Sequence, residues 1–386
     1  MKLIFCSRIR KSDLLGNLPG AIRVFDLGLT SGGPFFDGLI RFASLALNVF
    51  RVAKPDPLGD VPFRVALYRF LFRRRPPLLA LHRYLSSRQP DSIVSFLNYP
   101  NVALLLAAQF GTGRTRVYVN VRNHISASVA GAKSRRMREM PVLMRNLFPA
   151  AEGIIAVSKG VATDIAALTD MPASRITTIL NPVYREEIFQ LADARPSHPW
   201  LTPEGPPLVL AAGKMKPQKD FETLLQAFAW LRRDRAARLI ILGDGGGRTR
   251  LETLAETLGI RGDVDFPGYV ENPFVFYRHA SVFVLSSAWE GLPNVLIEAM
   301  ACGCPVVSTD CPSGPWEILD GGRLGRLVRV GDSAALAAAI AETLDQPPDR
   351  QAPANHAERF SLASIAESYE FLLSGKGDAG AQPAED

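Results

Sequence analysis

Four stretches in the second half of the chain, PLVLAAG (207–213), RLIILGDG (238–245), SVFVLSS (281–287) and PVVSTD (305–310), are short apolar runs that close on glycine or small polar residues. A strand with no polar face is buried on both sides, as happens in a parallel sheet covered by helices. Between them FETLLQAFAWLRRD (221–234), RLETLAETLGI (250–260) and PNVLIEAMACG (293–303) carry helical spacing, and Asp332 stands where an N-cap would open SAALAAAIAETLD. Such alternation predicts βαβ units and a doubly wound α/β sheet. The first half repeats the pattern more faintly. DSIVSFLN (91–98), RVYVNVRN (116–123) and GIIAVS (153–158) read as strands, with helices near 101–110 and 160–168. A chain of 386 residues exceeds one core of usual size, so two domains are expected. The proline-rich ADARPSHPWLTPEGP (192–206) is the expected linker.

Composition narrows the classes. With 47% hydrophobic and 21% charged residues the chain reads as globular and not disordered. No apolar run reaches the eighteen residues of a membrane span, and the opening MKLIFCSRIRKSD meets charges too early for a secretory signal. Four cysteines make no disulfide framework in a chain of this length, so a reducing cytoplasm is the expected setting. Cys302, Cys304 and Cys311 lack a second C-x-x-C and a neighbouring histidine, so no metal site is expected. Residues 1–200 hold 27 Lys/Arg against 13 Asp/Glu, while residues 201–386 hold 17 against 25. The first half therefore faces something anionic. No aromatic-basic binding motif supports nucleic acid as that partner.

FFDGLIRFASLALNVFRVAKP (35–55) and FRVALYRFLFRRRPPLLALHRYL (63–85) mix aromatics, leucines and arginines. They read as a helical insertion with a basic solvated face. The sharper alternative is an interfacial segment, with Phe70, Leu71 and Phe72 at the lipid boundary and Arg73, Arg74 and Arg75 on anionic headgroups.

In open α/β sheets ligands bind beyond the carboxyl ends of the strands. Gly213, Lys214 and Lys219 follow the first predicted strand of the second half, Gly243 the next, and Glu290 the strand after. Pro293 suits the first turn of a helix, which directs the free N–H groups of Asn294 and Val295 at the strand ends, a ready phosphate site. Glu298 lies one helical turn beyond Asn294 on the same face, close enough to accept hydrogen bonds from a sugar diol. Both glutamates could instead be solvated helix-end carboxylates; the apolar frame around them argues against that.

These segments carry a specific resemblance. Glu290 and Glu298 match the E-x7-E motif of the retaining glycosyltransferases of family 4. EGLPNVLIEAMACGCPVV, GKMKPQKDFETLLQAFA, LIILGDG, FPGYVENPFVFYRHASVFVLSS, AVSKGVATDIA, ILNPV and GRLGRLVRVGD resemble the family from about Asn98 to Ser374. The resemblance implies a GT-B fold, two Rossmann-like doubly wound domains facing a central cleft, and metal-independent transfer from a nucleotide sugar, with no cofactor. The expected domains are 1–185 on the acceptor side and 207–351 for the donor. A helix at 352–374 crosses back, with RFSLASIAESYEFLL carrying the period, before a disordered tail at 375–386.

The family's roles fall on matching positions. Lys214 and Lys219 resemble its basic pair on the donor diphosphate, where fixed cations stand in for a metal. The first is more often arginine, so Lys214 is a departure, a point charge in place of a fork. Glu298 would hold the ribose and Glu290 the transferred hexose. Gly291, Leu292, Pro293, Asn294 and Val295 would line the donor, and the Gly268–Tyr269–Val270 turn would run beside the base. His124 resembles the family's histidine that contacts the reacting sugar, with Arg122 and Asn123 beside it. Asn98 and Asn101 could bind acceptor hydroxyls, though helix capping would explain Asn101 equally well. The catalytic set implied is Glu290, His124 and Lys219. The implied reaction moves a hexose or N-acetylhexosamine, from a UDP sugar, to a glycan or lipid-linked acceptor at the inner face of the membrane. A nucleotide-sugar epimerase and a catalytically silent partner subunit are the alternatives. Residues 1–28 resemble the family's second strand and the segment next to it in the chain. This implies that a first strand, its glycine-rich loop and a helix, about thirty-five to forty residues, are missing.

Overall fold

The computed structural model describes residues 76–109, 114–195, 198–202 and 204–374, with the backbone of two strands before them. The segment of Phe70–Arg75 and the expected disordered tail lie outside the described residues. The chain divides into two compact units, one of residues 1–157, 161–179 and 369–386, the other of residues 158–160 and 180–368.

The first unit holds a parallel sheet of β1 (Leu3–Cys6), β2 (Ile22–Phe25), β3 (Ser92–Phe96), β4 (Arg116–Val121), β5 (Gly153–Ala156) and β6 (Ile176–Thr178) in the order β2-β1-β3-β4-β5-β6. β1 pairs with β2 on one side and β3 on the other, so the order reverses between β1 and β3. β3 (SIVSF) is buried along its whole length, with the hydroxyls of Ser92 and Ser95 bonded to Leu373 O and Asn101 Oδ1. Helix Asn98–Gln109 buries Val102–Ala107 without a polar face. The last helix, Leu362–Ser374, ties its end to this sheet: Tyr369 Oη accepts from Asn120 Nδ2 at 2.8 Å, and Leu373 O accepts from Ser92 Oγ at 3.2 Å.

The second unit holds β7 (Leu208–Ala212), β8 (Arg238–Leu242), β9 (Val264–Gly268), β10 (Val282–Leu285), β11 (Val306–Thr309) and β12 (Arg326–Val328), all parallel, in the order β12-β11-β10-β7-β8-β9. Helix Phe221–Asp234 packs Leu224, Phe228 and Leu231 onto β7 and β8, and helix Ser333–Asp345 adds Leu336 and Ile340. Phe228 is fully buried; cutting it to alanine would cost about 3–5 kcal/mol. Asp332 caps that second helix by accepting from Ala335 N at 2.9 Å.

Three features differ from the sequence pattern. β9, VDFPG, is interrupted by a half-exposed aspartate and a proline, which an edge strand tolerates and an apolar-run criterion misses. Helix Arg135–Leu147 carries Pro141 inside it. The proline-rich stretch is not a free linker. His198 Nε2 meets Asp265 Oδ2 at 2.7 Å, and Leu191 O accepts from Asn272 Nδ2 at 2.8 Å, so this stretch belongs to the second unit.

Candidate active site

The order of the second sheet puts β7 beside β10, and the chain leaves these two strands toward opposite sides. That is the switch point where an open α/β sheet leaves a crevice. After β7 the chain passes Gly213 and Lys214 and turns through Pro217–Lys219. It enters helix Phe221–Asp234 at Asp220, a left-handed N-cap (φ +44°) whose carboxylate accepts from Thr223 Oγ1 at 2.7 Å. Gly213 has φ +153°, and a Cβ there would lie 2.9 Å from Lys219 Cε, so the lysine stem folds back over a bare backbone. Gly243, after β8, has φ +116°, and its Cβ would fall 2.2 Å from Gly213 O. Only glycine fits there, because the ends of β7 and β8 are level in register and their loops touch.

Lys219 Nζ lies 2.7 Å from Glu290 Oε1, with the two side chains 12% and 7% exposed. Ser287 Oγ donates to the same oxygen at 2.6 Å, and Gln218 Nε2 donates to Oε2 at 3.3 Å and to Trp289 O at 2.9 Å. Ser286 Oγ reaches back to Lys219 O at 2.8 Å. A carboxylate has about four lone-pair positions, and three donors occupy this one. One position on Oε2 remains for an incoming hydroxyl, and the ammonium has two further protons to give. Gln218, Ser286 and Ser287 were not distinguishable in the sequence, since only the apposition of β7 and β10 gives them a role.

Helix Asn294–Ala301 begins one residue after Pro293, which stands as its N-cap. The N–H groups of Asn294 and Val295 are first-turn donors that the helix itself cannot satisfy. Asn294 Oδ1 accepts from Asn181 Nδ2 at 2.8 Å. Glu298 Oε2 accepts from Tyr277 Oη at 3.1 Å. Burial raises the Glu298 carboxyl above the usual carboxylate range, and the Tyr277 hydroxyl, Arg185 and Lys219 work against that rise. Tyr277, fully buried, is pushed well above its ordinary value by burial and then by Glu298. Tyr277 and Arg185 carry no signal in the sequence because nothing local ties them to Glu298.

Lys216 adds a cation that the sequence did not single out. Its ammonium is lowered first by loss of water and then by the nearby Lys219, with Glu290 opposing and Lys214 reinforcing. Three lysines thus share one field with Glu290, and Lys219 also acts on Glu298. Lys214 and Lys216 are both exposed at the surface. Gly291 and Leu292 are buried beneath the loop after β11: Glu290 N donates to Pro312 O at 3.1 Å, and a Cβ on Gly314 would stand 3.0 Å from Gly291 O. Tyr269, 71% exposed, and Val270, half-buried, follow Gly268 at the end of β9, whose carbonyl accepts from Gly243 N at 2.8 Å.

In the first unit the expected acceptor-side residues sit at the carboxyl ends of β3 and β4. His124 is the N-cap of helix Ile125–Ala130, and its Nδ1 accepts from Ala127 N at 3.3 Å. Asp164 Oδ2 lies 3.4 Å from the same nitrogen and accepts from Ile125 N at 2.6 Å. Arg122, half-buried, is lowered by burial, and its guanidinium stands 5.9 Å from the Phe96 ring centre. Asn123 is half-buried beside it. Asn98, nearly buried, opens its helix after Leu97, whose φ of +75° is rare for a branched side chain. Asn101 is fully buried: its Oδ1 accepts from Ser95 Oγ and its Nδ2 donates to Asn120 O at 2.8 Å. Its amide is thus used to join β3 to β4, which leaves it neither a helix cap nor a group facing solvent.

The chain matches two family models in sequence. The model described as Glycosyltransferase Family 4 covers residues 44–187, and that described as Glycosyl transferases group 1 covers residues 196–360. The chain belongs to glycosyltransferase family 4. Among relatives of this transferase is the N-acetylgalactosamine-N,N'-diacetylbacillosaminyl-diphospho-undecaprenol 4-alpha-N-acetylgalactosaminyltransferase of Campylobacter jejuni. It is 29% identical over 291 residues, 73% of this chain and 76% of the relative. The lipopolysaccharide core biosynthesis glycosyltransferase LpsE of Rhizobium meliloti is 36% identical over 183 residues, 45% of this chain and 52% of that one. Of solved structures, HepE of Anabaena in complex with UDP-glucose is similar at a TM-score of 0.68 and 19% identity, covering 97% of this chain and 99% of that chain. The fold of the transferase is thus the GT-B one. Among the described residues of the transferase no group of three or more His, Cys, Asp or Glu side chains could hold a metal ion, and no helix is long and apolar enough to cross a membrane.

Proposed function

We propose that the transferase moves a hexose or N-acetylhexosamine, with retention of configuration, from a UDP sugar to a glycan or lipid-linked acceptor in surface-polysaccharide or lipopolysaccharide synthesis. The observation that carries this reading is the Lys219–Glu290 pair at the β7/β10 switch point, in one field with Lys214 and Lys216. As the bond to the sugar breaks, negative charge gathers on the diphosphate. Fixed ammonium groups and the first-turn N–H groups of Asn294 and Val295 answer that charge in the transition state, so no metal or cofactor is needed. Glu290, with one acceptor position open, orients the transferred sugar through a hydroxyl. Glu298, steadied by Tyr277, accepts from the ribose diol. The diphosphate oxygen released beside the acceptor takes its hydroxyl proton. His124 contacts the reacting sugar, and Arg122, Asn123 and Asn98 serve the acceptor side.

Relatives named for undecaprenol-linked and lipopolysaccharide substrates support an acceptor at the inner face of the membrane, and the basic first half supports peripheral contact there. The test is a thermal-shift screen over UDP, GDP, ADP and their sugars. A bound nucleotide at one hundred times its Kd adds about 2.7 kcal/mol of stability. UDP and one UDP sugar should raise Tm in the wild type and not in Lys219→Ala. A shift from no nucleotide, or one undiminished in the variant, counts against the reading.

A further inference from the structure

One cavity of the second unit is lined by none of the residues assigned to the transfer above. It lies beyond the carboxyl ends of β11 and β12, measures about 500 Å³, and is walled by Asp310, Trp316, Gly321, Leu327 and Arg329. Trp316 is 58% exposed. Single exposed hydrophobics are ordinary on a protein surface, but this indole forms the side of a concavity and is braced there. A Cβ on Gly321 would lie 3.3 Å from indole Cζ2, and Gly321 has φ +66°, so the ring edge rests on backbone with no side chain between. Asp310 N donates to Val328 O at 2.7 Å, which fixes the Asp310 backbone against the end of β12, the strand that leads into Arg329. Both Asp310 and Arg329 are exposed to solvent.

We propose that this cavity is a carbohydrate subsite that takes one pyranose ring of the acceptor glycan, stacked on Trp316, with its hydroxyls shared between Asp310 and Arg329. A pyranose has a face of C–H groups and a rim of hydroxyls that both donate and accept. An indole face beside one carboxylate and one guanidinium matches that pattern: apolar area with few convergent polar groups. A phosphate would meet the Asp310 charge, and an alkyl chain would bury two charged groups without partners. The loop from Asp310 to Trp316 also ties the cavity to the donor residues. Its Pro312 carbonyl accepts from Glu290 N at 3.1 Å, and a Cβ on its Gly314 would stand 2.5 Å from Pro293 Cδ. The loop that carries Trp316 is thus packed against the loop that carries Glu290 and Pro293. That the glycan is the acceptor rests on the transferase reading; that the cavity binds a sugar does not.

The experiment uses the full chain and methyl α- and β-glycosides of glucose, galactose, N-acetylglucosamine and N-acetylgalactosamine, read by saturation-transfer NMR, with UDP thermal shift measured on the same samples. At least one glycoside should receive saturation on its ring protons from the wild type and from Trp316→Phe. In Trp316→Ala its affinity should fall about tenfold, the loss of one aromatic stacking contact, while the UDP shift is unchanged. No transfer to any glycoside from the wild type, or equal affinity in Trp316→Ala, overturns the subsite. Absence of a UDP shift alongside Trp316-dependent glycoside binding sinks the donor reading and supports the cavity. Should Trp316→Ala lose its cooperative melt, Asp310→Asn decides: a several-fold weaker glycoside signal supports the proposal, and wild-type affinity refutes it.

Discussion

The ammonium of Lys219 and the carboxylate of Glu290 meet at 2.7 Å across the junction of β7 and β10, so that one contact closes the loop after each strand upon the other. Both side chains are mostly buried, and taking one away strands the other. Lys219→Ala should lower stability by about 3 kcal/mol, with Ser287 and Gln218 still holding the glutamate, and transferase turnover should drop at least a hundredfold, about 2.7 kcal/mol of transition-state stabilisation. Urea melts and initial rates on the same preparation check both; a stable variant with wild-type turnover would remove Lys219 from the mechanism.

Glu298 supplies a pH dependence with a definite sign. Its carboxyl is raised in the folded protein by burial, so the native state binds this proton more readily than the unfolded chain does. Its contribution to stability is therefore largest below the unfolded value and is lost as pH rises through the folded one. Glu298→Gln should be more stable than wild type at pH 8, and the gap should close on acidification toward pH 4. Nucleotide affinity should fall in the same variant. Thermal melts at several pH values test it, and a gap that widens toward acid contradicts the assignment.

Tyr277→Phe removes the hydroxyl that donates to Glu298. A hydrogen bond to a charged group carries about 1.5–3 kcal/mol, and without it the carboxyl should titrate higher still. UDP affinity of Tyr277→Phe should therefore decline more steeply below pH 7 than that of the wild type, measured by calorimetry; parallel pH profiles would show that Tyr277 only fills space.

Gly243→Ala places a methyl 2.2 Å from Gly213 O at a φ of +116°. Neither backbone can yield without moving the loop that carries Lys214 and Lys219, so stability should fall by about 2–3 kcal/mol and the UDP shift should vanish with it. Gly246→Ala, where a Cβ meets nothing within 4 Å, is the neutral control.

Burial pushes the thiols of Cys302, Cys304 and Cys311 up to about 12. A thiol that far from its thiolate is a poor nucleophile. Iodoacetamide at pH 8 should leave all three unmodified in the native protein and alkylate them in 6 M guanidinium, as mass spectrometry of the peptides will show.

The sequence disclosed the second unit more fully than the first for a physical reason. Strands such as Arg238–Leu242 and Val282–Leu285 are covered on both faces, so each is written as one unbroken apolar word, and helix Phe221–Asp234 keeps both its ends. Residues placed just past such strands, Gly213, Lys219 and Glu290, could be read off because strand ends are where an open sheet binds. Gln218, Ser287, Tyr277 and Arg185 were silent: their significance arises when β7 meets β10 or when the helix Phe274–His279 packs under Glu298. Asn101 read in sequence as an acceptor-binding amide or a helix cap and instead joins β3 to β4, since a polar residue inside an apolar helix is ambiguous until its partners are known. The edge strand Val264–Gly268 hid behind its proline.

The Lys219–Glu290 contact has a further consequence for selectivity. An ammonium already neutralised by its own carboxylate is a weak trap for orthophosphate, which must compete with Glu290 while offering the glutamate nothing in return. On the proposed reading a nucleotide sugar does offer something, a hydroxyl for Oε2 at the same moment as oxygens for the lysine. On that reading the pair guards the site against free phosphate before any sugar is recognised.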